Sequence, residues 1–271
     1  MQSWVDGTPA AAINLHNRGL AYGDGLFETF AVRKGQPSLL DEHMARLALG
    51  CQRLSIATDV ALVADEVRRY AAQLGEGVAK LILTRGDSQR GYAPASDVVA
   101  RRILQASPLP IYPAEHAELG VRLFMCQTRL GEQPLLAGLK HLNRLEQVLA
   151  RSEWQGGEYA EGLMRDGQGR LIEGVYSNLF LVKQGTLLTA KLDRCGVAGV
   201  MRAALLARAK LMNIPVQVRD LAFDELGQAD EAFVCNSVYG IWPVRTAGAL
   251  NWLPGPLTRT LQAVARTLLE T

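Results

Sequence analysis

The sequence contains no run approaching ~18 apolar residues without a charge, the length that a membrane-crossing helix needs, so no span is expected. Residues 1–12 have neither a basic segment nor a long apolar stretch, which argues against a secretory signal. A dominant charge is also missing. The 29 Lys+Arg and 27 Asp+Glu leave a net +2, too little for the field of a nucleic-acid or membrane-surface binder. Cys51, Cys126, Cys195 and Cys235 are scattered with no C-x-x-C pair, and His16, His43, His116 and His141 show no ligand spacing. A disulfide framework and a structural metal are therefore not expected, and a reduced cytoplasmic protein is. No internal repeat or low-complexity tract occurs, and neither a phosphate loop nor a dinucleotide fingerprint follows any glycine cluster.

What is present is an ordinary globular composition, 48% hydrophobic and 21% charged over 271 residues, enough for two cores. Helices are expected over 39–54, with Ser38 or Asp41 as cap, and over 60–74 after Asp59. Strands are expected at 78–84, 98–106, 121–127, 161–165, 171–172, 179–183, 186–190, 216–218 and 232–235. Asp6-Gly7 and Gln184-Gly185 mark tight hairpins. The three prolines between Ser107 and Gly120 mark a break. An α/β (α+β) chain follows, with a smaller N-terminal domain at 1–108, a linker at 109–120 and a larger domain at 121–271. A ligand site is expected in the cleft between the two domains.

Of six lysines, Lys140 stands out. It lies among apolar neighbours in Gly138-Leu139-Lys140-His141-Leu142, ahead of a helical repeat of Leu142, Leu145, Val148 and Leu149. An amine kept dry there has the lowered pKa that a Schiff-base lysine requires; the alternative is a packed stem with its ammonium in water. Three further stretches carry possible chemistry. Asn17–Phe30 holds three glycines in seven residues, a tight turn or a close approach. The 85–92 loop holds Arg85, Arg90 and Tyr92, a set suited to carboxylates or to a solvated turn. Gly196–Arg202 leads into a helix whose first N–H groups suit an anion.

A lysine, a carboxylate after a strand (Glu173), a helix arginine (Arg46) and a glycine-led helix start together match what pyridoxal phosphate needs. The segments 18–28, Arg85-Gly86 with Arg90-Gly91-Tyr92, 139–144, Glu173 with 178–180, and 199–202 carry a resemblance. The chain resembles the class IV, or fold-type IV, pyridoxal-phosphate enzymes over nearly its whole length. Within them it is most similar to the branch that cleaves aminodeoxychorismate in folate synthesis. The resemblance implies that Lys140 bonds the cofactor covalently and that Glu173 partners the pyridine nitrogen. It gives the phosphate to Arg46, the backbone at Gly199, Val200 and Met201, and the Ser237 hydroxyl, with Val197 against the ring. Tyr22, Phe27, Arg85, Arg90 and Tyr92 would line the substrate pocket, and the protein would be a homodimer acting on a small molecule. Leu145 and Met201 depart from a tyrosine and a threonine of branched-chain aminotransferases. Both departures weaken the other reading, a D-amino-acid or branched-chain-type aminotransferase.

Overall fold

The computed structural model describes residues 1–94 and 98–270, which group into two compact units. Residues 95–97 and Thr271, inside the two expected domains, lie outside the described residues. The first unit runs from Met1 to Pro110 and takes in Leu139–Asn143 and the chain end from Leu269. The second comprises Ile111–Gly138 and Arg144–Leu268. The division falls at Pro110, and the segment expected to be a linker contains a short helix at Glu115–Glu118. The lysine stretch, expected with residues 121–271, groups with the first unit.

The first unit contains β1 (Trp4–Val5), β2 (Thr8–Pro9), α1 (Arg18–Tyr22), β3 (Gly25–Arg33) and β4 (Gln36–Pro37). It continues with α2 (Leu40–Leu54), α3 (Val60–Leu74), β5 (Gly77–Thr84) and β6 (Arg101–Ser107). Its sheet has the order β2-β1-β6-β5-β3-β4, antiparallel throughout. Met44, Leu47 and Cys51 of α2, with Val63, Val67 and Tyr70 of α3, share one core with Phe30, Val32, Leu81 and Leu83 of the sheet. The Asp59 carboxylate accepts from the amides of Ala61 (2.9 Å) and Leu62 (3.2 Å), satisfying two orphan donors at the start of α3. Helix α2 starts differently from expectation. Leu39 holds the cap position without a side-chain bond, while the Ser38 hydroxyl donates to the Leu269 carbonyl at 2.7 Å. The glycine-rich stretch also departs from a plain loop. Its first residues form α1, where Asn17 Oδ1 accepts from Gly19 N at 2.9 Å.

The second unit contains α4 (Glu115–Glu118), β7 (Val121–Leu130), α5 (Leu145–Ser152), β8 (Glu161–Asp166), β9 (Leu171–Gly174) and β10 (Asn178–Lys183). There follow β11 (Thr186–Ala190), α6 (Val200–Leu211), β12 (Val216–Arg219), β13 (Glu231–Asn236), β14 (Gly240–Ala247), β15 (Leu250–Asn251) and α7 (Pro256–Glu270). The strand path is β12-β11-β10-β13-β14-β7-β8-β9, with β15 on β14. One further pair, Glu173 with Asn178, joins β9 back to β10 and closes six strands into a ring. Leu163, Leu179, Leu181, Leu188, Val234, Trp242 and Val244 fill the core of this unit. Helix α5 is in place, but its apolar repeat faces outward. Gln147 and Ala150 are buried, whereas Leu145, Val148 and Leu149 are 75%, 60% and 58% exposed.

Candidate active site

Residues 139–143 run beside β3. The Phe27 amide donates to the Lys140 carbonyl at 2.9 Å, and the Leu142 amide to the Gly25 carbonyl at 3.0 Å. Leu139 is buried in the core of the first unit, which fixes the segment and leaves Lys140 half-buried. The Lys140 Nζ lies 4.2 Å from the centroid of the Phe27 ring, within cation–π range. Asn143 Nδ2 donates to the Gly23 carbonyl at 3.2 Å. Gly23 caps α1 with φ 65°, and a Cβ there would sit 2.5 Å from Asn143 Oδ1. Glycine is thus required twice, for conformation and for space.

Three polar side chains meet behind this strand. Glu28 lies on the buried face of β3 and is 1% exposed. His43 Nδ1 is 2.6 Å from Glu28 Oε2, and Arg46 Nε donates to Glu28 Oε1 at 2.9 Å while its Nη2 donates to Oε2. Burial pushes the Glu28 carboxyl up, but the Arg46 charge, the His43 charge that forms in acid where Glu28 titrates, and the hydrogen bonds of both outweigh it and bring it down to about 2. Burial holds His43 below its ordinary value, and Glu28 offsets this incompletely. The cluster is therefore a carboxylate and a guanidinium with a neutral imidazole that donates through Nδ1.

The arginines of the 85–92 loop separate into different roles. Arg85 Nε donates to Asp24 Oδ2 at 2.8 Å, its Nη1 to the Ser55 carbonyl at 2.8 Å and its Nη2 to the Leu54 carbonyl at 2.7 Å. Arg85, expected in the substrate pocket, spends these donors within the chain: its fork closes the end of α2 and pairs with Asp24. Arg90 and Tyr92 are exposed. The Tyr22 hydroxyl accepts from the Gly91 amide at 3.1 Å, and the Tyr22 and Tyr92 rings lie 5.5 Å apart. Arg18 fixes this loop. It pairs with Asp24 at 2.8 Å and donates to Ser88 Oγ and to the carbonyls of Gly91 and Tyr92.

In the second unit, Glu173 sits at the ring-closing pair and is 3% exposed. Its Oε2 accepts from the Val197 amide at 2.8 Å, and the Val197 carbonyl accepts from Asn178 Nδ2 at 2.9 Å. Gly199 caps α6 with no side-chain hydrogen bond. A Cβ at Gly199 would fall 1.9 Å from Asn178 Oδ1, so only glycine lets the chain pass there. Val200 and Met201 open α6 with buried side chains, and Ser237 follows β13 half-buried. The turn after Glu173 is held from below by Glu161, which is fully buried. Glu161 accepts from the amides of Gly162, Val175 and Tyr176 and from Ser177 Oγ. Burial pushes its carboxyl up to about 7 against the pull of those four donors.

Each unit carries groups of a kind that an anionic aromatic molecule can use: the first an amine against an aromatic face, the second a buried carboxylate set by backbone and a glycine-led helix start without a side-chain cap. Among the described residues no group of three or more His, Cys, Asp or Glu is placed to hold a metal ion, and no helix is long and apolar enough to cross a membrane.

The amino-transferase class IV family matches residues 25–247. The chain belongs to the class IV aminotransferase family. The aminodeoxychorismate lyase of Vibrio harveyi is 36% identical to it over 269 residues, which cover 97% of this chain and 99% of that protein. The crystal structure of 4-amino-4-deoxychorismate lyase from Pseudomonas aeruginosa is 58% identical, with TM-score 0.96 over 98% of each chain. The branched-chain amino acid aminotransferase of Escherichia coli shares the fold, with TM-score 0.85 at 24% identity over 99% of this chain and 94% of that one. Glu28, His43, Asn178, Arg18 and Glu161 were given no role from the sequence. The readable signal was a glutamate on the inward register of a strand, facing a helix with His43 and Arg46 three residues apart.

Proposed function

We propose that this chain is a pyridoxal-phosphate-dependent lyase that converts 4-amino-4-deoxychorismate to 4-aminobenzoate and pyruvate, a step of folate synthesis. The observation that carries this reading is full-length likeness to two lyases of that name, at 36% and 58% identity. The cofactor, when bound, supplies an electron sink and a covalent hold on the substrate's amine. Lys140 would hold the cofactor through its amine and, when free of it, would take the proton from the substrate ring carbon bearing the amino group. Removal of that proton lets the neighbouring enolpyruvyl C–O bond break. The ring becomes aromatic, and the released enolpyruvate takes up a proton to become pyruvate. Glu173, its angle set by the Val197 amide, would keep the pyridine nitrogen protonated. Arg46, the amides at Gly199, Val200 and Met201, and Ser237 would hold the phosphate, with Val197 against the ring. Tyr22, Phe27, Arg90 and Tyr92 receive the substrate, Arg90 holding a carboxylate.

Two departures favour the lyase over an aminotransferase. Leu145 brings no hydroxyl, and the Met201 side chain is buried and apolar. The same reading carries a cytoplasmic homodimer. It is supported by four buried cysteines without disulfides and by the outward Leu145, Val148 and Leu149 of α5. The test supplies aminodeoxychorismate to the cofactor-loaded protein and follows 4-aminobenzoate and pyruvate together. Equal release, abolished in Lys140→Ala, is the expected result. No release, from protein that turns over D-alanine with a keto acid, would make it an aminotransferase.

A further inference from the structure

Glu28 presents a physical problem. The inward register of β3 places Leu26, Phe30 and Val32 in the apolar core, and a carboxylate occupies the position between the first two. A buried ion pair is weak evidence for stability, since well-packed apolar residues of similar volume often serve as well or better. Core packing therefore does not account for the triad of Glu28, His43 and Arg46. Its geometry offers an account. Glu28 grips Arg46 along the Nε–Nη2 edge with both carboxylate oxygens, the side-on fork that fixes the guanidinium plane. His43, three residues from Arg46 on the same face of α2, donates to the same carboxylate and fixes it in turn. The His43 ring packs on Phe30 with centroids 4.5 Å apart, which sets its orientation. His43 Nε2 is buried without a hydrogen-bond partner, as suits the neutral tautomer with its proton on Nδ1. Each member is thus held by the next: ring by core, carboxylate by ring, guanidinium by carboxylate.

We infer that Glu28 and His43 are positioning residues that pre-set the Arg46 guanidinium for the phosphate of the cofactor. The inference rests on the reading above, in which Arg46 is a phosphate ligand. A long arginine that had to be ordered on binding would lose side-chain entropy at that moment; one already clamped does not. Neither Glu28 nor His43 need touch the cofactor for this.

The test compares binding of pyridoxal 5'-phosphate with binding of pyridoxal, which lacks the phosphate, by absorbance titration of wild type, Glu28→Gln and His43→Phe. The glutamine keeps the shape of Glu28 but replaces one acceptor by an NH2 group that faces Arg46 or His43. Loss of charge-assisted bonds of this kind corresponds to about 10- to 100-fold in affinity. The expected result for Glu28→Gln is weakening of that order for pyridoxal phosphate, with pyridoxal within about twofold of wild type. His43→Phe should follow in the same direction with a smaller factor, and the 31P shift of the bound cofactor should move in both. Equal weakening of the two ligands in a variant of native circular dichroism would overturn the inference and leave the triad a structural one. Should Glu28→Gln fail to fold, His43→Phe carries the same comparison. Wild type that binds neither ligand would instead sink the functional reading, a separate outcome.

Discussion

Phe27 meets Lys140 twice, through its amide to the lysine carbonyl at 2.9 Å and through its ring at 4.2 Å from Nζ. The backbone bond fixes where the lysine starts, and the ring limits where its ammonium goes. Phe27→Ala keeps the first contact and removes the second. A cation–π contact of ~1 kcal/mol corresponds to about a fivefold change, so kcat should fall by about that factor with 4-aminobenzoate fluorescence as the readout. Lys140→Ala should abolish turnover.

Gly199 has no room for a methyl group beside Asn178. In Gly199→Ala the Asn178 amide has to move, and its bond to the Val197 carbonyl goes with it. Because Val197 also holds Glu173, the proposed contacts to the ring and to the phosphate would both lose support. Affinity for pyridoxal phosphate should fall at least about tenfold, as loss of one or two hydrogen bonds predicts, in a fluorescence titration.

His43 and Glu28 should each lose their contribution to stability in acid, at separate stages. His43 is held below its ordinary 6.5, so the unfolded chain protonates first, and its contribution, complete above 6.5, is lost as pH falls below that value. Glu28, at about 2 in place of 4.5, contributes fully above 4.5 and loses this as pH falls toward 2. Glu161, raised to about 7, takes up its proton first in the folded state and works the other way between 7 and 4.5, so the His43 part is read as a difference: as pH falls below 6.5, urea midpoints of wild type should fall relative to those of His43→Phe.

Arg85 and Arg90 should separate in kinetics. Arg85→Ala removes donors from two carbonyls near the end of α2 and should lower stability by ~1–2 kcal/mol with KM unchanged. Arg90→Ala should leave stability within ~0.5 kcal/mol and raise KM for aminodeoxychorismate about tenfold or more. A raised KM in the Arg85 variant would restore it to the pocket.

Glu161 receives four donors on two oxygens. In Glu161→Gln the amide NH2 has to face two of those donors, leaving buried groups unpaired. Urea unfolding should show a loss of ~2–4 kcal/mol, large for so small a change.

Much of this molecule was legible beforehand. The 15 residues of α3 and its Asp59 cap, and strand β11 with its Gln184-Gly185 turn, follow from local periodicity and turn chemistry, which act over a few residues. Helix α1 was not legible, because it is five residues long with Gly19 inside it, and what stabilises it is the Asn17 cap and contacts from residues 84–92. The outward face of α5 was misread because periodicity reveals an apolar stripe without saying what it meets. Lys140 stood out from its apolar neighbours, whereas Glu28 did not. Its partners lie 15 and 18 residues away on another element, and only the register of β3 against α2 brings them together.

The joint between Glu173 and Asn178 bears on how this chain tolerates changes in length. Four residues separate the two paired positions, and Glu161 holds three of them from below. An added residue there would open the ring of strands and turn Glu173 away from Val197. The 155–157 loop ahead of β8 differs: its residues are exposed, and an added Cβ meets nothing within 4 Å at Gly156 or Gly157. Insertions, tags or epitopes belong there, away from a joint that reads the chain residue by residue.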